Sequence, residues 1–430
     1  MSEKKNVVIR AAKGLAGAMS PPGDKSISHR YAMLGAIANG MTKLKNFSTG
    51  ADCASTLACL RTLGVKWERI GNAVAIYGNG ATLKEPETAL DCGNSGSTIR
   101  MLSGVLAGQK FTSELVGDES LSRRPMARII KPLEMMGAKV SSAEGDRPPL
   151  RITGGRLRGI DYKLPVASAQ VKTSLLFAGL YASGTTQVQE PIQTRDHGEQ
   201  ALQAFGAHLD RRMKEVAIEG GQKLTAIEAT IPGDISSAAF FLCAAGLFPD
   251  SHLTISGLLL NPTRARLLDF LVGLGLRIAP SDMREEHGEL VGMAQVQGGM
   301  LKGASVAGED TAALIDEIPV LAAIAPYTEE GIEIRDAREL RVKESDRIAS
   351  VAKNLRAMGA KVEEFDDGLR IPGRQKLHGA SVDSFGDHRI AMAFAVAALR
   401  AEGETEIKGA DAAMISYPEF FDVLEGLAQR

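Results

Sequence analysis

A single pattern recurs at near-regular intervals along the chain: a helical pair of apolar residues, then a glycine, then an alternating, strand-like stretch. The glycines are Gly64, Gly137, Gly206, Gly275 and Gly359. An apolar i, i+3 pair is typical of a buried helix face, and the following glycine is typical of a helix C-terminus. A weaker sixth copy, Leu424, Leu427 and Ala428, lies one similar interval further on. This period of roughly 70 residues is too long for a solenoid and predicts six small α/β units.

A second repeat divides these units into two halves. Pro22-Gly23-Asp24-x-Ser26 returns three units later as Pro232-Gly233-Asp234-x-Ser236. We therefore expect two similar domains of three units each, one formed by residues 21–235 and the other by residues 1–20 plus 236–430. The sixth unit runs out of sequence after its helix, so we expect the orphan strand at Asn6–Arg10 to complete it. Ligand sites commonly lie between two domains, and we expect the active site in the cleft between these two.

Composition and charge exclude several classes of protein. Lys and Arg total 50 against 52 Asp and Glu, which leaves no excess positive charge for a nucleic-acid backbone or an anionic membrane. The four cysteines and seven histidines show no C-x-x-C or H-x-x-x-H spacing, so we expect no metal site. The longest apolar run, Ala238–Phe248, is far shorter than the roughly 20 residues of a membrane span, and the N-terminus lacks a signal-peptide core. We therefore expect a soluble, cytoplasmic protein.

Basic residues nevertheless concentrate at predicted helix starts and tight turns in both halves. Anions bind at such places because backbone N–H groups point outward and Lys or Arg adds positive charge. The basic residues at these positions are Lys25, Arg30, Arg124, Lys343, Arg347 and Arg389. Aromatic residues make up 5% of the chain and none interleaves these motifs, so base stacking is not expected. Local positive charge on a slightly acidic chain is typical of a protein that binds small polyanions.

Each motif of the first half has a structural explanation beside the functional one. The residues Lys25 to Arg30 lie on a turn before a helix predicted from Tyr31, and such a turn can simply be solvated. The Gly-rich stretch 91–100 can bring its backbone close to an anion or merely shape a turn. Arg124 precedes Pro125, which is predicted to begin a helix. Ser168 can be only an N-cap of the next helix, predicted from Thr173.

The second half offers two carboxylates among its cations. Asp316 borders an apolar helix, where a carboxylate can act as a base with a raised pKa or can simply cap the helix. Lys343 and Arg347 are spaced i, i+4 and are predicted to share one helix face, with Glu344 next to it. Such a basic pair can be merely solvated. Asp316 and Glu344 stand out as the acids of a cationic cleft, placed for proton transfer.

Together and in this order, these motifs resemble those of the 5-enolpyruvylshikimate-3-phosphate synthase family of enolpyruvyl transferases over essentially the full chain. The matching motifs are Gly23-Asp24-Lys25-Ser26, Gly93-Asn94-x-Gly96, Arg124-Pro125, Ser168-Ala169-Gln170, Leu340-Arg341-x-Lys343-Glu344-Ser345-Asp346-Arg347 and Asp387-His388-Arg389. The resemblance implies two domains of three α/β units, called an inside-out α/β barrel. It also implies that the enolpyruvyl group of phosphoenolpyruvate moves to the 5-hydroxyl of shikimate 3-phosphate, with release of phosphate, through a tetrahedral intermediate. No metal or organic cofactor is implied, and we expect a monomer.

The resemblance also assigns roles to individual residues. The implied contacts to shikimate 3-phosphate are Lys25, Ser26, Arg30, Ser168, Ala169, Gln170, Arg195, Asp316 and Lys343. The implied contacts to phosphoenolpyruvate are Lys25, Asn94, Gly96, Arg124, Gln170, Arg347 and Arg389. Asp316 would take the proton of the 5-hydroxyl, and Glu344 with Lys25 would deliver a proton to the enol methylene. Glyphosate occupies the phosphoenolpyruvate site in this family, and the Ser-Ala-Gln-Val-Lys and Thr-Arg-Asp-His forms resemble the branch that includes glyphosate-tolerant members. Tolerant members of that branch carry Ala at the position of Gly96, so we predict more sensitivity here than the branch suggests.

Two other functions stay open. An enolpyruvyl transferase acting on a UDP-sugar shares the fold and the donor. It typically has a Cys or Asp in the loop that corresponds to Gly117–Met126, and this loop has no Cys. A non-catalytic anion-binding relative would not need Asp316, Glu344 or Lys25, and all three are present. An assay of phosphate release with both substrates separates these three functions.

Overall fold

The computed structural model describes residues 5–430, and the predicted α/β class is confirmed. Among these residues, no helix is long and apolar enough to cross a membrane. The α-helices, in chain order, are α1 (Lys25–Ile37), α2 (Ala51–Thr62), α3 (Gly96–Ala107), α4 (Glu119–Ser122), α5 (Ala127–Met136), α6 (Ala169–Gly179), α7 (His197–Ala204), α8 (Ile235–Gly246), α9 (Arg266–Leu274), α10 (Glu309–Leu314), α11 (Ile318–Ile324), α12 (Arg347–Ala357), α13 (His388–Ala398) and α14 (Phe420–Leu427). Short 3₁₀ helices span Ala325–Tyr327, Arg338–Val342 and Ala410–Ile415.

The strands alternate with these helices along the chain. In chain order they are β1 (Val7–Arg10), β2 (Gly14–Met19), β3 (Asn39–Lys45), β4 (Lys66–Ile70), β5 (Ala73–Asn79), β6 (Leu90–Asp91), β7 (Thr112–Val116), β8 (Lys139–Ala143), β9 (Arg147–Thr153), β10 (Leu157–Arg158), β11 (Asp161–Lys163), β12 (Ala182–Ser183), β13 (Thr185–Gln189), β14 (Leu209–Arg212), β15 (Glu215–Glu219), β16 (Glu228–Thr230), β17 (His252–Leu259), β18 (Arg277–Glu286), β19 (Glu289–Gln297), β20 (Gly303–Val306), β21 (Gly331–Ile334), β22 (Glu363–Phe365), β23 (Gly368–Pro372), β24 (Ser381–Asp383), β25 (Glu404–Lys408) and β26 (Ala428–Gln429).

The chain divides into two compact units. One, which we call the central unit, consists of Gly23–Pro232 together with Glu285–Glu289. The other, the discontinuous unit, contains the residues up to Pro22, Gly233–Arg284 and Leu290–Arg430. The sequence patterns did not indicate that Glu285–Glu289, the tip of the β18–β19 hairpin, joins the central unit. Glu289 Oε1 lies there 2.7 Å from Nδ1 of the buried His197.

The sheets of the central unit share one plan. Their strand orders are β16-β3-β5-β4, β6-β7-β9-β8 and β11-β13-β15-β14. In each sheet the first two strands are parallel and the last two form an antiparallel hairpin. The first strand of the first sheet is β16, which comes from the end of the unit. The repeats therefore close on themselves like a ring, because the last segment of the unit completes its first sheet.

The discontinuous unit keeps this plan in the sheet of β20 to β23 and varies it in two sheets that include strands from both ends of the chain. Its sheets have the orders β18-β19-β17-β2-β26, β20-β21-β23-β22 and β1-β25-β24. The strand β1 pairs antiparallel with β25, with Val7 opposite Ile407 and Arg10 opposite Glu404. The prediction that the N-terminal strand completes the sixth unit is therefore confirmed.

Within each unit, helices form the interior and sheets the outer layer. Every residue of α8 and of α13 is buried, and beyond their polar first turns both helices are apolar all round, as a fully enclosed helix requires. Several strands bury alternate residues and expose the others, as the pattern along β9 shows. Small residues let the inner helices approach closely: a Cβ added to Gly104 of α3 would lie 2.0 Å from the carbonyl oxygen of Ser174 in α6. The N-termini of these inner helices carry most of the residues predicted to bind ligands.

The repeated glycine ends a helix in all five copies that predicted it. Its φ is positive each time: 81° at Gly64, 114° at Gly137, 90° at Gly206, 118° at Gly275 and 90° at Gly359. In each copy the amide after the glycine donates to the carbonyl of the first apolar residue of the pair, as Val65 does to Leu60 at 3.0 Å. This is the Schellman arrangement, in which a residue without Cβ adopts the left-handed conformation and the last helical carbonyls are satisfied.

Candidate functional site

The helix α1 begins at Lys25, six residues before the predicted start at Tyr31, so that boundary was wrong. Asp24 is the N-cap, and its Oδ1 accepts the backbone N–H of Ile27 at 2.8 Å. Lys25 and Ser26 therefore lie in the first helical turn, where the backbone N–H groups have no partners within the helix. The Nζ of Lys25 is 2.9 Å from Oδ2 of Asp52 in α2, an acid that the sequence analysis missed.

Arg30 connects α1 to α6. Its Nη1 donates to the carbonyl of Ser26 at 2.9 Å, and its Nη2 donates to Oγ1 of Thr173 at 2.9 Å. Burial lowers the pKa of Arg30 to about 10, with the carboxylate of Glu199 opposing this shift and the nearby charge of Arg195 adding to it. The guanidinium therefore stays charged at neutral pH. The structure thus brings Ser26, Arg30 and Arg195 into one neighbourhood.

Gly96 is the first residue of α3, after the N-cap Ser95. Two guanidinium groups flank it: an added Cβ would lie 2.9 Å from Nη1 of Arg100 and 3.3 Å from Nη1 of Arg124. Nη2 of Arg124 also donates to Oδ1 of Asn94 at 2.8 Å. The prediction that Pro125 begins a helix was wrong, because α5 starts at Ala127.

The helix α6 presents the third N-terminus of the central unit. It starts at Ala169 rather than at Thr173, and Ser168 is its N-cap, accepting from the backbone N–H of Val171 at 3.4 Å. Gln170 connects it to α3: its Oε1 accepts from Nη1 of Arg100 at 2.8 Å, and its Nε2 donates to Oγ of Ser97 at 2.9 Å. The sequence motifs did not indicate Arg100, although its i+4 spacing from Gly96 places it on the same face of α3.

These N-termini form what we call the central half-site. Its residues are Lys25, Ser26, Arg30, Asn94, Gly96, Arg100, Arg124, Ser168, Ala169, Gln170 and Arg195. The partial positive charges of three helix N-termini add to the charges of Lys and Arg side chains. Such an arrangement binds ligands that carry phosphate and carboxylate groups.

Arg347 organises the site residues of the discontinuous unit. It is buried, and its Nε donates to Oδ2 of Asp387 at 2.8 Å. Its Nη2 donates to Oε2 of Glu344 at 2.6 Å, and its Nη1 lies 3.8 Å from Oδ1 of Asp316. The predicted proton-transfer acids, Asp316 and Glu344, therefore flank a single guanidinium. Although burial lowers the pKa of Arg347, the carboxylates of Asp387 and Glu344 outweigh it and raise that pKa above its usual value.

Asp387 anchors Arg347 and also caps α13. It accepts the backbone N–H of Arg389 at 2.9 Å. Burial raises the pKa of Asp387, but the adjacent guanidinium of Arg347 outweighs burial and leaves that pKa below its usual value. Arg389 is in the first turn of α13, and its Nη1 donates to the carbonyl of Asp316 at 2.7 Å. The N-terminus of α13 thus holds two cations beside Asp316: Arg347, through Asp387, and Arg389.

Lys343 does not share a helix face with Arg347, so that prediction was wrong. The 3₁₀ helix Arg338–Val342 ends before Lys343, whose backbone is extended, with φ −83° and ψ −152°. A new helix, α12, begins at Arg347 because Asp346 caps it. Nζ of Lys343 lies 3.3 Å from Oε1 of Glu339. We call Asp316, Lys343, Glu344, Arg347 and Arg389 the discontinuous half-site.

Across residues 5–430, no group of three or more His, Cys, Asp or Glu side chains is arranged to hold a metal ion. The cationic character of both half-sites is instead suited to anionic organic ligands.

Comparison with known proteins identifies the family. Residues 9–424 match the family model of EPSP synthase (3-phosphoshikimate 1-carboxyvinyltransferase). A protein of Koribacter versatilis (strain Ellin345) named 3-phosphoshikimate 1-carboxyvinyltransferase is 59% identical over 427 residues, covering 99% of this chain and 100% of its own. A protein of the same name from Solibacter usitatus (strain Ellin6076) is 55% identical, covering 98% of this chain and 99% of its own.

Solved structures agree with this identification. EPSP synthase from Acinetobacter baumannii superposes with a TM-score of 0.87 at 40% identity, covering 98% of both chains. The enolpyruvyl transferase NikO from Streptomyces tendae gives a TM-score of 0.79 at 18% identity over 99% of this chain and 98% of its own, which shows a shared fold. The chain therefore belongs to the EPSP synthase (3-phosphoshikimate 1-carboxyvinyltransferase) family.

Proposed function

We propose that this chain transfers the enolpyruvyl group of phosphoenolpyruvate to the 5-hydroxyl of shikimate 3-phosphate and releases phosphate. Family membership supports this reaction. The observation that carries the assignment of roles is the position of Arg347 between Asp316 and Glu344, because it combines an anion-binding cation with two acids that can move protons. Each substrate carries a phosphate and a carboxylate, which accounts for the cations of both half-sites.

The proposed contacts follow from the two half-sites. Shikimate 3-phosphate binds at the starts of α1 and α6 and near the discontinuous half-site, through Lys25, Ser26, Arg30, Ser168, Ala169, Gln170, Arg195, Asp316 and Lys343. Phosphoenolpyruvate binds through Lys25, Asn94, Gly96, Arg124, Gln170, Arg347 and Arg389. Each half-site alone supplies only part of these contacts, so one substrate pair must engage both. The predicted cleft between the domains stays a prediction.

The proposed reaction proceeds by addition and elimination. Asp316 takes the proton of the 5-hydroxyl while the oxygen bonds to C2 of phosphoenolpyruvate, and Glu344, with Lys25, delivers a proton to C3. The tetrahedral intermediate then loses phosphate from C2 and a proton from C3, which restores the double bond. Arg347 restrains Glu344 by a hydrogen bond of 2.6 Å and places its positive charge 3.8 Å from Asp316. Fixed charges of this kind stabilise the transition state without reorganisation.

Phosphate release tests this function directly. We expect release from phosphoenolpyruvate only when shikimate 3-phosphate is present, with the enolpyruvyl product detected by mass spectrometry and with no effect of EDTA. A UDP-sugar tested as the acceptor is the control for the first alternative. Turnover with that acceptor alone would establish a sugar-nucleotide enzyme, and the absence of release with either acceptor would establish a non-catalytic relative. Loss of activity in EDTA would contradict the metal-free mechanism.

We further propose that the active protein is a cytoplasmic monomer. Each half-site is built from residues of a single unit of one chain, so the site needs no second copy. Sedimentation at micromolar concentration should give the mass of one chain, 45.6 kDa. A sedimenting mass of twice this value would contradict the monomer, and recovery of the native enzyme outside the cytoplasmic fraction would contradict the location.

A further inference from the structure

The duplicated Pro-Gly-Asp-x-Ser motif places two serines in equivalent positions. Ser26 is the second residue of α1, after the N-cap Asp24, and Ser236 is the second residue of α8, after the N-cap Asp234. Ser26 belongs to the proposed substrate site. The hydroxyl of Ser236 instead donates to a carboxylate of the protein itself, Oε1 of Glu317. In the second half, an internal acid thus lies where the first half would hold an external anion.

Ser236 also connects Glu317 to a buried cation. Nη2 of Arg264 donates to Oγ of Ser236 and lies 3.6 Å from Oε1 of Glu317. The side chains of Arg264 and Glu317 are only 4% and 3% exposed. Opposite charges in such an interior compensate one another, and removing one partner leaves the other charge buried and uncompensated. We call Arg264, Ser236 and Glu317 the buried triad.

The buried triad adjoins the reacting groups of the discontinuous half-site. Glu317 directly follows Asp316, and its Oε1 lies 3.9 Å from Nη1 of Arg389. Oδ2 of Asp316 is also 3.9 Å from Nη2 of Arg389. These separations are too long for hydrogen bonds, so neither carboxylate takes up the donors of this guanidinium that a ligand would need.

We propose that Arg264 and Ser236 are positioning residues that hold Glu317 away from Arg389. Without Arg264, the cation nearest to the Glu317 carboxylate is Arg389, and the carboxylate can form a direct ion pair with it. That internal pair competes with the carboxylate or phosphate of phosphoenolpyruvate, which binds Arg389 according to the proposed function on which this inference rests. The buried triad therefore sets the affinity of the site for its anionic donor.

Substitution of Arg264 tests the proposal because it should change the KM for phosphoenolpyruvate more than it changes kcat. We expect Arg264→Met to raise the KM for phosphoenolpyruvate by roughly 30-fold or more, the lower end of the range for truncating one partner of a buried, hydrogen-bonded charge pair, with a smaller change in kcat. The KM for shikimate 3-phosphate should change less than about twofold, because Arg389 is not among its contacts. Arg266→Met is the matched control, since Arg266 pairs with Asp310 on the surface and is about half exposed.

The decisive comparison is rescue by a second substitution. The double variant Arg264→Met/Glu317→Gln removes the competing carboxylate and should return the KM for phosphoenolpyruvate to within about threefold of wild type. Ser236→Ala, which leaves both charges in place, should give a smaller rise that Glu317→Gln also removes. This serine variant decides the matter if Arg264→Met does not fold. A double variant no better than the single one, or a Ser236→Ala variant like wild type, would overturn the proposal.

Calorimetry separates this inference from the proposed function. The binding of an unreactive phosphoenolpyruvate analogue to each variant, in the presence of shikimate 3-phosphate, should follow the same order as the KM values, because no turnover adds to the heat of binding. If wild type binds the analogue but does not turn over phosphoenolpyruvate, the proposed function fails and the calorimetric order still decides the inference. If wild type turns over but all variants bind the analogue equally, the inference fails and the function stands.

Discussion

His29 should make the stability of the central unit depend on pH. Its ring is fully buried in α1, and Nδ1 lies 2.7 Å from Oγ1 of Thr56. Burial, followed by the charges of Lys25 and Arg30, lowers its pKa well below the usual value. The folded protein therefore keeps this imidazole neutral at pH values where the unfolded chain protonates it.

The sign and size of the effect follow from this difference. Below pH 6.5 the unfolded chain binds a proton at His29 that the folded protein does not bind, so stability falls as the pH falls. The slope is about 1.4 kcal/mol per pH unit until the folded group also titrates. Between pH 6.5 and 5.0 the wild type should therefore lose up to about 2 kcal/mol that a His29→Gln variant does not lose. At pH 8 the variant should be less stable, by about 1 kcal/mol for a lost hydrogen bond.

Urea unfolding at pH 8, 7, 6 and 5 measures this difference. Trp67, the single tryptophan, lies in β4 of the central unit, so its fluorescence reports the unit that contains His29. His208→Gln serves as the control, because His208 is exposed. The stability of wild type minus that of His29→Gln should fall from about 1 kcal/mol at pH 8 through zero and become negative toward pH 5, whereas the difference for the control should stay constant. A difference for His29→Gln that stays constant from pH 8 to 5 would refute the reasoning.

Three further changes test other parts of the structure. Gly96→Ala inserts a methyl group between the guanidiniums of Arg100 and Arg124. It should raise the inhibition constant of glyphosate roughly 10- to 200-fold and raise the KM for phosphoenolpyruvate less. An unchanged inhibition constant would mean that another residue determines the length of the site. Asp316→Ala should lower kcat by roughly 10²- to 10⁴-fold, whereas a change confined to KM would make Asp316 only a hydrogen-bond partner. Lys172→Met removes the cation that pairs with the buried carboxylates of Glu190 and Glu199. It should destabilise the central unit by about 3–5 kcal/mol in urea unfolding. A loss of stability below about 1 kcal/mol would contradict this ionic pairing.

The sequence predicted the repeated architecture because its signals are local. An apolar pair followed by glycine specifies a helix end within five residues, and Gly137 and Gly275 adopt the left-handed conformation that this requires. Helix starts were less well predicted. The starts of α1 and α6 were placed six and four residues too late, because the polar residues of their first turns look like loop residues.

Contacts between distant parts of the chain could not be predicted from spacing. Arg100 and Gln170 are 70 residues apart, and Ser236 and Glu317 are 81 residues apart. The resemblance to a family indicated Gln170 as a ligand contact, but nothing local to either residue indicates its partner. Lys343 and Arg347 were wrongly placed on one helix face for a local reason, because α12 begins only at Arg347, after its N-cap Asp346. Contacts between charged or polar residues far apart in the chain depend on how the helices pack, which the spacing of residues does not show.

The pairing of β1 with β25 sets the order in which the chain can fold during synthesis. Val7 must wait for Ile407, which the ribosome adds only after both units are largely made. At roughly 5–20 residues per second this takes roughly 20 to 80 seconds. The residues 23–232 leave the ribosome as one continuous stretch during that time, and their first sheet closes when β16 arrives. The N-terminal strand spends the whole interval as an unpaired edge, open to chaperones and to strands of neighbouring chains.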